Sequence, residues 1–200
     1  MSTHGVMPDS TPAFPYRHLW PETARCPLLG FAAWSGTGKT TLLTALIPIL
    51  RGAGLRIGLI KHAHHEVDVD HPGKDSYRLR HAGAGQVLLS TGKRWALMTE
   101  REFPQDPDLT EELTRLDQDR LDLILVEGFR DARFPKIELL RDNGKSDRPP
   151  LHLQDSAIIA VATDGSYPFS GITLPLLDLN DPASIAEFIL VQVLARPKPS

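Results

Sequence analysis

The amino-acid sequence predicts an α/β fold in which helices flank a mostly parallel sheet, with a small β-hairpin inserted around residues 86–100. Two observations support this class. Short apolar segments typical of strands alternate along the chain with segments whose apolar residues recur at helical spacing. In addition, two strand-like runs are joined through Thr91 and Gly92, a connection typical of an antiparallel hairpin. The 200 residues, 41% of them hydrophobic, are enough for one buried core.

The elements follow in a regular order. The predicted strands cover residues 28–33, 56–60, 86–90, 95–99, 121–126, 136–141 and 157–163. The predicted helices cover residues 40–50, 75–82, the acidic segment 106–119, and 183–194. Leu42, Leu46 and Leu50 share one face of the first helix. Pro48 is expected to kink this helix near its end, and Gly52 follows as a stop signal.

The chain is predicted to consist of an N-terminal extension at residues 1–25 and one domain at residues 26–196. The extension is expected to be flexible because it contains Pro8, Pro12, Pro15 and Pro21 and shows no helical or strand period. It also carries apolar side chains, which leaves open the alternative that it covers a neighbouring subunit. These side chains are Phe14, Tyr16, Leu19 and Trp20.

Composition argues against several classes of partner. The net charge is −3, and the 22 basic and 25 acidic residues are interspersed, so no basic field is available for nucleic acid. No stretch reaches the roughly 18 uninterrupted apolar residues of a membrane-spanning helix. The single cysteine, Cys26, cannot form an internal disulfide. We therefore expect a cytoplasmic protein with neither nucleic acid nor membrane as its partner.

The clearest functional signal is a segment at residues 33–40 with the sequence Ala-Trp-Ser-Gly-Thr-Gly-Lys-Thr. It lies between a predicted strand and a predicted helix, the context of a P-loop, in which backbone amides and the helix dipole bind phosphate. Lys39 is placed to bridge the β and γ phosphates, and the Thr40 hydroxyl is placed to bind Mg²⁺. Ala33 replaces the usual first glycine. The residues predicted to bind nucleotide here are Ser35, Gly36, Thr37, Gly38, Lys39, Thr40 and Thr41.

A carboxylate is expected opposite this loop. Glu127 ends the apolar run 121–126, and ligands of open α/β sheets bind at the carboxyl ends of the strands. We assign Glu127 to Mg²⁺ and to catalysis, with a surface glutamate as the plain alternative. Asp122 begins the same run, so it is expected to face the opposite end of the sheet.

Residues 61–76 form a loop rich in histidine, aspartate and lysine after the second strand. Asp68 or Asp70 is assigned to Mg²⁺ or to the attacking water, with Asp68 as the metal ligand and Asp70 as the catalytic residue. Lys61 and Lys74 are assigned to neutralising the charge of the phosphates. The alternative is a solvated polar loop without a specific role.

Five segments taken together identify a protein family more specifically than the phosphate loop does alone. They are residues 31–41, 59–62, 72–77, 94–99 and 125–129. Together they resemble the MobB family, the molybdopterin-guanine dinucleotide biosynthesis adaptor proteins. The resemblance runs from about residue 27 to residue 193, so nothing carries over to the first 25 residues.

This resemblance implies a homodimer that binds GTP with Mg²⁺ and hydrolyses it weakly. It also implies a MobA-type guanylyltransferase as partner when GMP is attached to molybdopterin, with molybdopterin or its guanine dinucleotide as a further candidate ligand. The Asn-Lys-x-Asp signature that commonly binds guanine is absent. Asp164, at the end of a buried strand, is assigned to guanine instead, and a surface turn before Gly165 is the alternative.

The residues are also compatible with two other classes of protein. A small-molecule kinase would share Lys39, Thr40 and Glu127 and would need lid arginines, for which the candidates are Arg78, Arg80, Arg94 and Arg130. A metal-delivery GTPase would use His62, His64, His65 and His71. Because the sequence shows no clear water-orienting glutamine or arginine finger, we expect unaided hydrolysis at about 10⁻⁴ to 10⁻² s⁻¹.

Overall fold

The computed structural model describes residues 14–63, 68–142, 149–166 and 171–196. Its main sheet has six strands, and every neighbouring pair is parallel. In chain order these strands are β1 (Leu28–Ala32), β2 (Ile57–Lys61), β5 (Leu123–Glu127), β6 (Lys136–Leu140), β7 (Ile158–Thr163) and β8 (Leu176–Asp178). Across the sheet the order is β2-β5-β1-β6-β7-β8. The predicted fold class is confirmed, including the hairpin, which is formed by β3 (Gln86–Ser90) and β4 (Trp95–Thr99).

The helices are α1 (Lys39–Gly52), α2 (Asp75–His81), α3 (Leu109–Leu113) and α4 (Pro182–Phe188). Pro48 lies inside α1, which continues beyond it to Gly52. The helix observed in the acidic segment, α3, is much shorter than the helix predicted over residues 106–119. Asp108 caps α3 by accepting hydrogen bonds from two backbone amides, and the helix ends after one turn between the buried Leu109 and Leu113. The C-terminal helix changes to a π-helix at Ile189–Val193.

Both faces of the sheet are covered. On one face, α1 and α4 pack against alternate strand residues such as Leu29, Phe31 and Leu125. On the other face, α3 and the segment after β5 pack against Leu28 and Val126. Burial on both faces explains why these strands are continuously apolar rather than alternating. Within the residues that the structure describes, no helix is long and apolar enough to cross a membrane.

The N-terminal segment is described from Phe14 onward. Leu19 is buried in the main core cluster, and Trp20 packs against the cluster on the other face of the sheet. The Thr23 hydroxyl donates to the Thr110 carbonyl, and the Arg25 amide donates to Gln118. Part of the predicted extension thus packs on its own domain, and residues 1–13 lie outside the described residues.

The described residues divide into two compact units, one within residues 1–62 and 108–200 and the other within residues 63–107. The second unit contains α2 and the hairpin. Its central charge is Arg80, which pairs with Asp68 at 2.5 Å and with Glu100 at 2.7 Å. These ion pairs connect the segment before α2 to the end of the hairpin.

Candidate phosphate-binding site

The loop between β1 and α1 has the conformation that its glycines allow. Gly36 and Gly38 have φ angles of 81° and 101°, a region in which side-chain-bearing residues are strained. Between them, Thr37 is buried, and its hydroxyl donates to the Trp34 carbonyl at 2.7 Å. The loop thus closes on itself directly before α1, whose first amides have no partner within the helix.

Lys39 begins α1 and lies over this loop. Its Nζ donates to the Ala33 carbonyl at 3.1 Å. Burial lowers the pKa of Lys39, the nearby Glu127 carboxylate raises it, and the positive charges of Lys61 and Arg130 lower it further. Three cationic side chains therefore share this end of the sheet with one carboxylate, a balance that favours a bound anion.

Glu127 is the last residue of β5, at the carboxyl end of the strand as predicted. Its Oε1 accepts from the Thr40 hydroxyl at 3.1 Å, and its Oε2 accepts from Lys61 Nζ at 3.0 Å. The sheet produces this arrangement because Glu127 is in register with Phe31 of β1 and with Lys61 of β2. A hydroxyl and a carboxylate are the oxygen ligands that Mg²⁺ prefers, so these two residues fit that ion.

The turn after Glu127 is held against the end of β2. The His62 amide donates to the Glu127 carbonyl at 2.8 Å, and the rings of His62 and Phe129 lie 4.9 Å apart. Gly128 has a φ of 99°, and a Cβ there would lie 2.6 Å from His62 Cβ. This position consequently requires glycine, which fixes where the chain leaves β5.

Sequence reasoning missed a buried lysine that supports the next segment. Lys136, the first residue of β6, is 1% exposed and pairs with Asp155 at 2.6 Å. Its Nζ also donates to the carbonyls of Arg130 at 2.8 Å and Ala132 at 2.5 Å. The available signal was a charged residue opening an apolar strand, because a charge at such a position requires buried partners.

A second missed pair lies beside the phosphate loop. Glu138 is in register with Ala32 and is 1% exposed. It accepts from the amides of Leu151 and His152 and from His152 Nδ1, at 2.6, 3.0 and 2.6 Å. The carboxylate thereby fixes the short helix Leu151–Leu153 on the sheet. Just before that helix, the Pro149 carbonyl accepts from Trp34 Nε1 at 3.4 Å.

Asp164 directly follows β7, two strands away from β1. Its Oδ1 accepts from the Ser166 hydroxyl and amide at 2.5 and 3.1 Å, and its Oδ2 pairs with Arg141 Nε at 2.9 Å. Hydrogen bonds from Ser166 are the main cause of the lowered pKa of Asp164, with Arg141 adding to the effect. The assignment of Asp164 to guanine stays a prediction, and this carboxylate already has two partners.

Asp68, Asp70 and Lys74 belong to the second unit, and their assignment to the nucleotide site stays a prediction. Asp68 pairs with Arg80, whose hydrogen bond is the main cause of the lowered pKa of this carboxyl. Asp70 is 7% exposed and accepts from the Ser76 hydroxyl at 3.1 Å, while its Oδ2 has no partner among the described residues.

The histidines of residues 61–76 are predicted from the sequence as candidate metal ligands. His64 and His65 lie outside the described residues. Across the described ranges, no group of three His, Cys, Asp or Glu side chains is arranged to hold a metal ion.

Comparison with known proteins identifies the family of the chain. The family model for molybdopterin guanine dinucleotide synthesis protein B, MobB, matches residues 28–164. The chain is 52% identical over 164 residues to the molybdopterin-guanine dinucleotide biosynthesis adapter protein of Escherichia coli strain K12, covering 82% of this chain and 91% of that protein. The protein of the same name from Haemophilus influenzae is 44% identical over 163 residues, covering 82% and 87%.

Solved structures give the same result. A crystal structure of molybdopterin-guanine biosynthesis protein B matches with a TM-score of 0.63 and 27% identity, covering 82% of this chain and 97% of that one. The crystal structure of Bacillus subtilis MobB matches in fold, with a TM-score of 0.65 at 24% identity and coverage of 84% and 98%. Because the family model spans more than half of the sequence and close relatives align over most of it, the chain belongs to the MobB family.

Proposed function

We propose that this protein is a GTP-binding adapter with weak Mg²⁺-dependent GTPase activity in the assembly of molybdopterin guanine dinucleotide. Its family and the names of its relatives support the adapter role. The observation that carries nucleotide binding is the convergence of Lys39, Thr40 and Glu127 at one end of the sheet. A MobA-type guanylyltransferase is the proposed partner, and molybdopterin or its dinucleotide is a proposed ligand.

The cationic groups and backbone amides of the site bind phosphate, whereas its oxygen ligands bind the metal ion. The backbone amides from Ser35 to Thr40 hold the β phosphate, and Lys39 exchanges its bond to the Ala33 carbonyl for phosphate oxygens. A bound Mg²⁺ would supply positive charge to the triphosphate. Thr40 and Glu127 would hold that ion, and Lys61 orients the Glu127 carboxylate through its ion pair.

Recognition of guanine is assigned to Asp164 in this proposal. A carboxylate accepts hydrogen bonds from N1 and the 2-amino group of guanine, which adenine does not offer in the same pattern. Asp164 would have to exchange its pair with Arg141 for the base. An unchanged preference for GTP over ATP in Asp164→Ala would remove this assignment.

A homodimer is proposed through one face of the hairpin. Leu88 is in register with Leu97, and Trp95 lies two residues from Leu97 on the same side. These side chains are 60%, 51% and 71% exposed, respectively. Apolar side chains clustered in this way mark an interaction surface. Trp95→Lys should convert a dimer to a monomer in sedimentation equilibrium, and an unchanged mass would argue against this face.

The nucleotide is tested by titrating GTP, ATP and molybdopterin, each with and without Mg²⁺. GTP should bind to the wild type, and Lys39→Ala should weaken binding at least about 100-fold, because a buried phosphate charge loses its partner. Lys93→Ala removes an exposed lysine from the hairpin turn and serves as the control. Equal GTP affinity in Lys39→Ala and Lys93→Ala would overturn the proposed site.

A further inference from the structure

We propose that Arg130 is a catalytic residue of this site, whose guanidinium neutralises charge on the γ phosphate while the phosphoanhydride bond breaks. The inference rests on the proposed function and deepens it, because it assigns a cation from the same chain to the hydrolytic step. The sequence offers Arg130 only as one of four candidate lid arginines.

The first argument is the position of the side chain. Arg130 comes three residues after Glu127, at the carboxyl end of β5. Its Cζ lies 4.7 Å from the centre of the Trp34 ring, and Trp34 is part of the phosphate loop. The guanidinium is therefore next to the loop, and its charge contributes to the lowered pKa of Lys39.

The second argument is that the guanidinium can exchange its partners. The ion pair of Arg130 with Asp131 is long, at 3.4 Å, and the Asp131 side chain is 90% exposed. The other contact is the cation–π contact with Trp34, which is weak at an exposed site. The γ phosphoryl group offers a stronger partner once negative charge develops on it in the transition state, since arginine binds phosphate oxygens through two parallel hydrogen bonds.

The third argument is the fixed backbone beneath this side chain. The Arg130 carbonyl accepts from Lys136 Nζ at 2.8 Å, and Lys136 is buried and paired with Asp155. Phe129 and Phe134 are buried on either side of this segment. A backbone held by hydrogen bonds, with a guanidinium that has only weak partners, suits a catalytic group, because the backbone needs no reordering when charge develops. Lys136 is accordingly a positioning residue.

The chemical step balances without a further reactant. Water forms a bond to the γ phosphorus, and the bond from that phosphorus to the β–γ bridging oxygen breaks. The electron pair stays on GDP, and the proton of the water passes to the released phosphate. Arg130 donates hydrogen bonds to oxygens of the γ phosphoryl group, where negative charge must be stabilised as the bond breaks.

The test compares Arg130→Ala and Arg130→Lys with Arg133→Ala. Arg133 is an exposed arginine of the same segment, so its variant is a matched control. Single-turnover GTP hydrolysis should fall at least about 10-fold in Arg130→Ala and less in Arg130→Lys, within the large effects known for such arginines. Affinity for a non-hydrolysable GTP analogue should change less than about 3-fold, and Arg133→Ala should behave as the wild type.

A second measurement uses GDP with aluminium fluoride, which imitates the γ phosphoryl group in the transition state. The wild type and Arg133→Ala should form this complex, whereas Arg130→Ala should not. Free guanidinium ion added to Arg130→Ala should partly restore hydrolysis, which a structural role would not allow. Wild-type rates and a retained fluoride complex in Arg130→Ala would overturn the inference, as would parallel losses of rate and analogue affinity. Failure of the wild type to bind GTP would instead overturn the proposed function.

Discussion

Strand β5 has a carboxylate at or next to each of its ends, and the two carboxylates differ in how their oxygens are used. Asp122, just before the strand, accepts two hydrogen bonds from the Arg56 guanidinium at 2.9 and 3.0 Å and a third from the Arg56 amide at 2.8 Å. Glu127, the last residue of β5, accepts one bond from a hydroxyl and one from a half-exposed lysine. A carboxylate enclosed by one arginine holds strands together, whereas one with exchangeable partners is available to a metal ion or a substrate.

The largest expected effect comes from Glu127→Gln. Removing the negative charge should lower GTP hydrolysis about 100-fold, which corresponds to about 2.7 kcal/mol in the barrier, since the Mg²⁺ site loses an anionic ligand. The free energy of unfolding should change by less than about 1 kcal/mol, because the half-exposed Lys61 can turn to solvent when its ion pair with Glu127 is lost. The measurements are single-turnover rates over a Mg²⁺ titration and urea unfolding. A hydrolysis rate within threefold of the wild type at all Mg²⁺ concentrations would contradict the comparison.

A smaller effect, on stability rather than on GTP hydrolysis, is expected from Asp122→Asn. The substitution keeps the size of the side chain and removes the bidentate ion pair, so the melting temperature should fall by about 2–4 °C while GTP hydrolysis stays unchanged. Thermal unfolding followed by circular dichroism, with Glu127→Gln measured beside it, checks the result. If the variant lost GTP hydrolysis at unchanged melting temperature, the two ends of the strand would have the reverse roles.

The smallest expected effect is a pH dependence of the difference in stability between the wild type and Asp122→Asn. The hydrogen bonds from Arg56 lower the pKa of Asp122 from 3.8 to about 2 in the folded protein. Its stabilising contribution is therefore complete above pH 4 and is lost as the pH falls from about 4 to about 2. Urea midpoints of the wild type and Asp122→Asn should differ at pH 6 and converge toward pH 2. A difference that stayed constant over this range would show that the charge of Asp122 is not its source.

The site was predictable from sequence where its residues depend on local spacing. The phosphate loop and Glu127 each lie where an apolar run ends, so their positions at the carboxyl edge follow from the α/β pattern alone. The opposite placement of Asp122 is confirmed for the same reason. Strand β8 was missed because three residues show no periodicity, and α3 was overestimated because acidic residues predict a helix without showing where its buried turn ends.

Pairs that depend on strand order were not predictable. Lys136 meets Asp155, and Glu138 meets His152, because β6 lies between β1 and β7, an order that apolar periodicity does not determine. The contact between Trp34 and Arg130 likewise joins two loops that are far apart in the chain. The assigned residues of the second unit, Asp68, Asp70 and Lys74, stay predictions.

The position of Trp34 makes the site optically observable. Indole fluorescence responds to nearby charge, and this ring lies in the phosphate loop against a guanidinium. The chain has three tryptophans, and the other two, Trp20 and Trp95, lie in the N-terminal segment and the hairpin. In a variant that carries phenylalanine at positions 20 and 95, the emission of the remaining indole would report nucleotide arrival and the release of Arg130 in real time, without an attached dye.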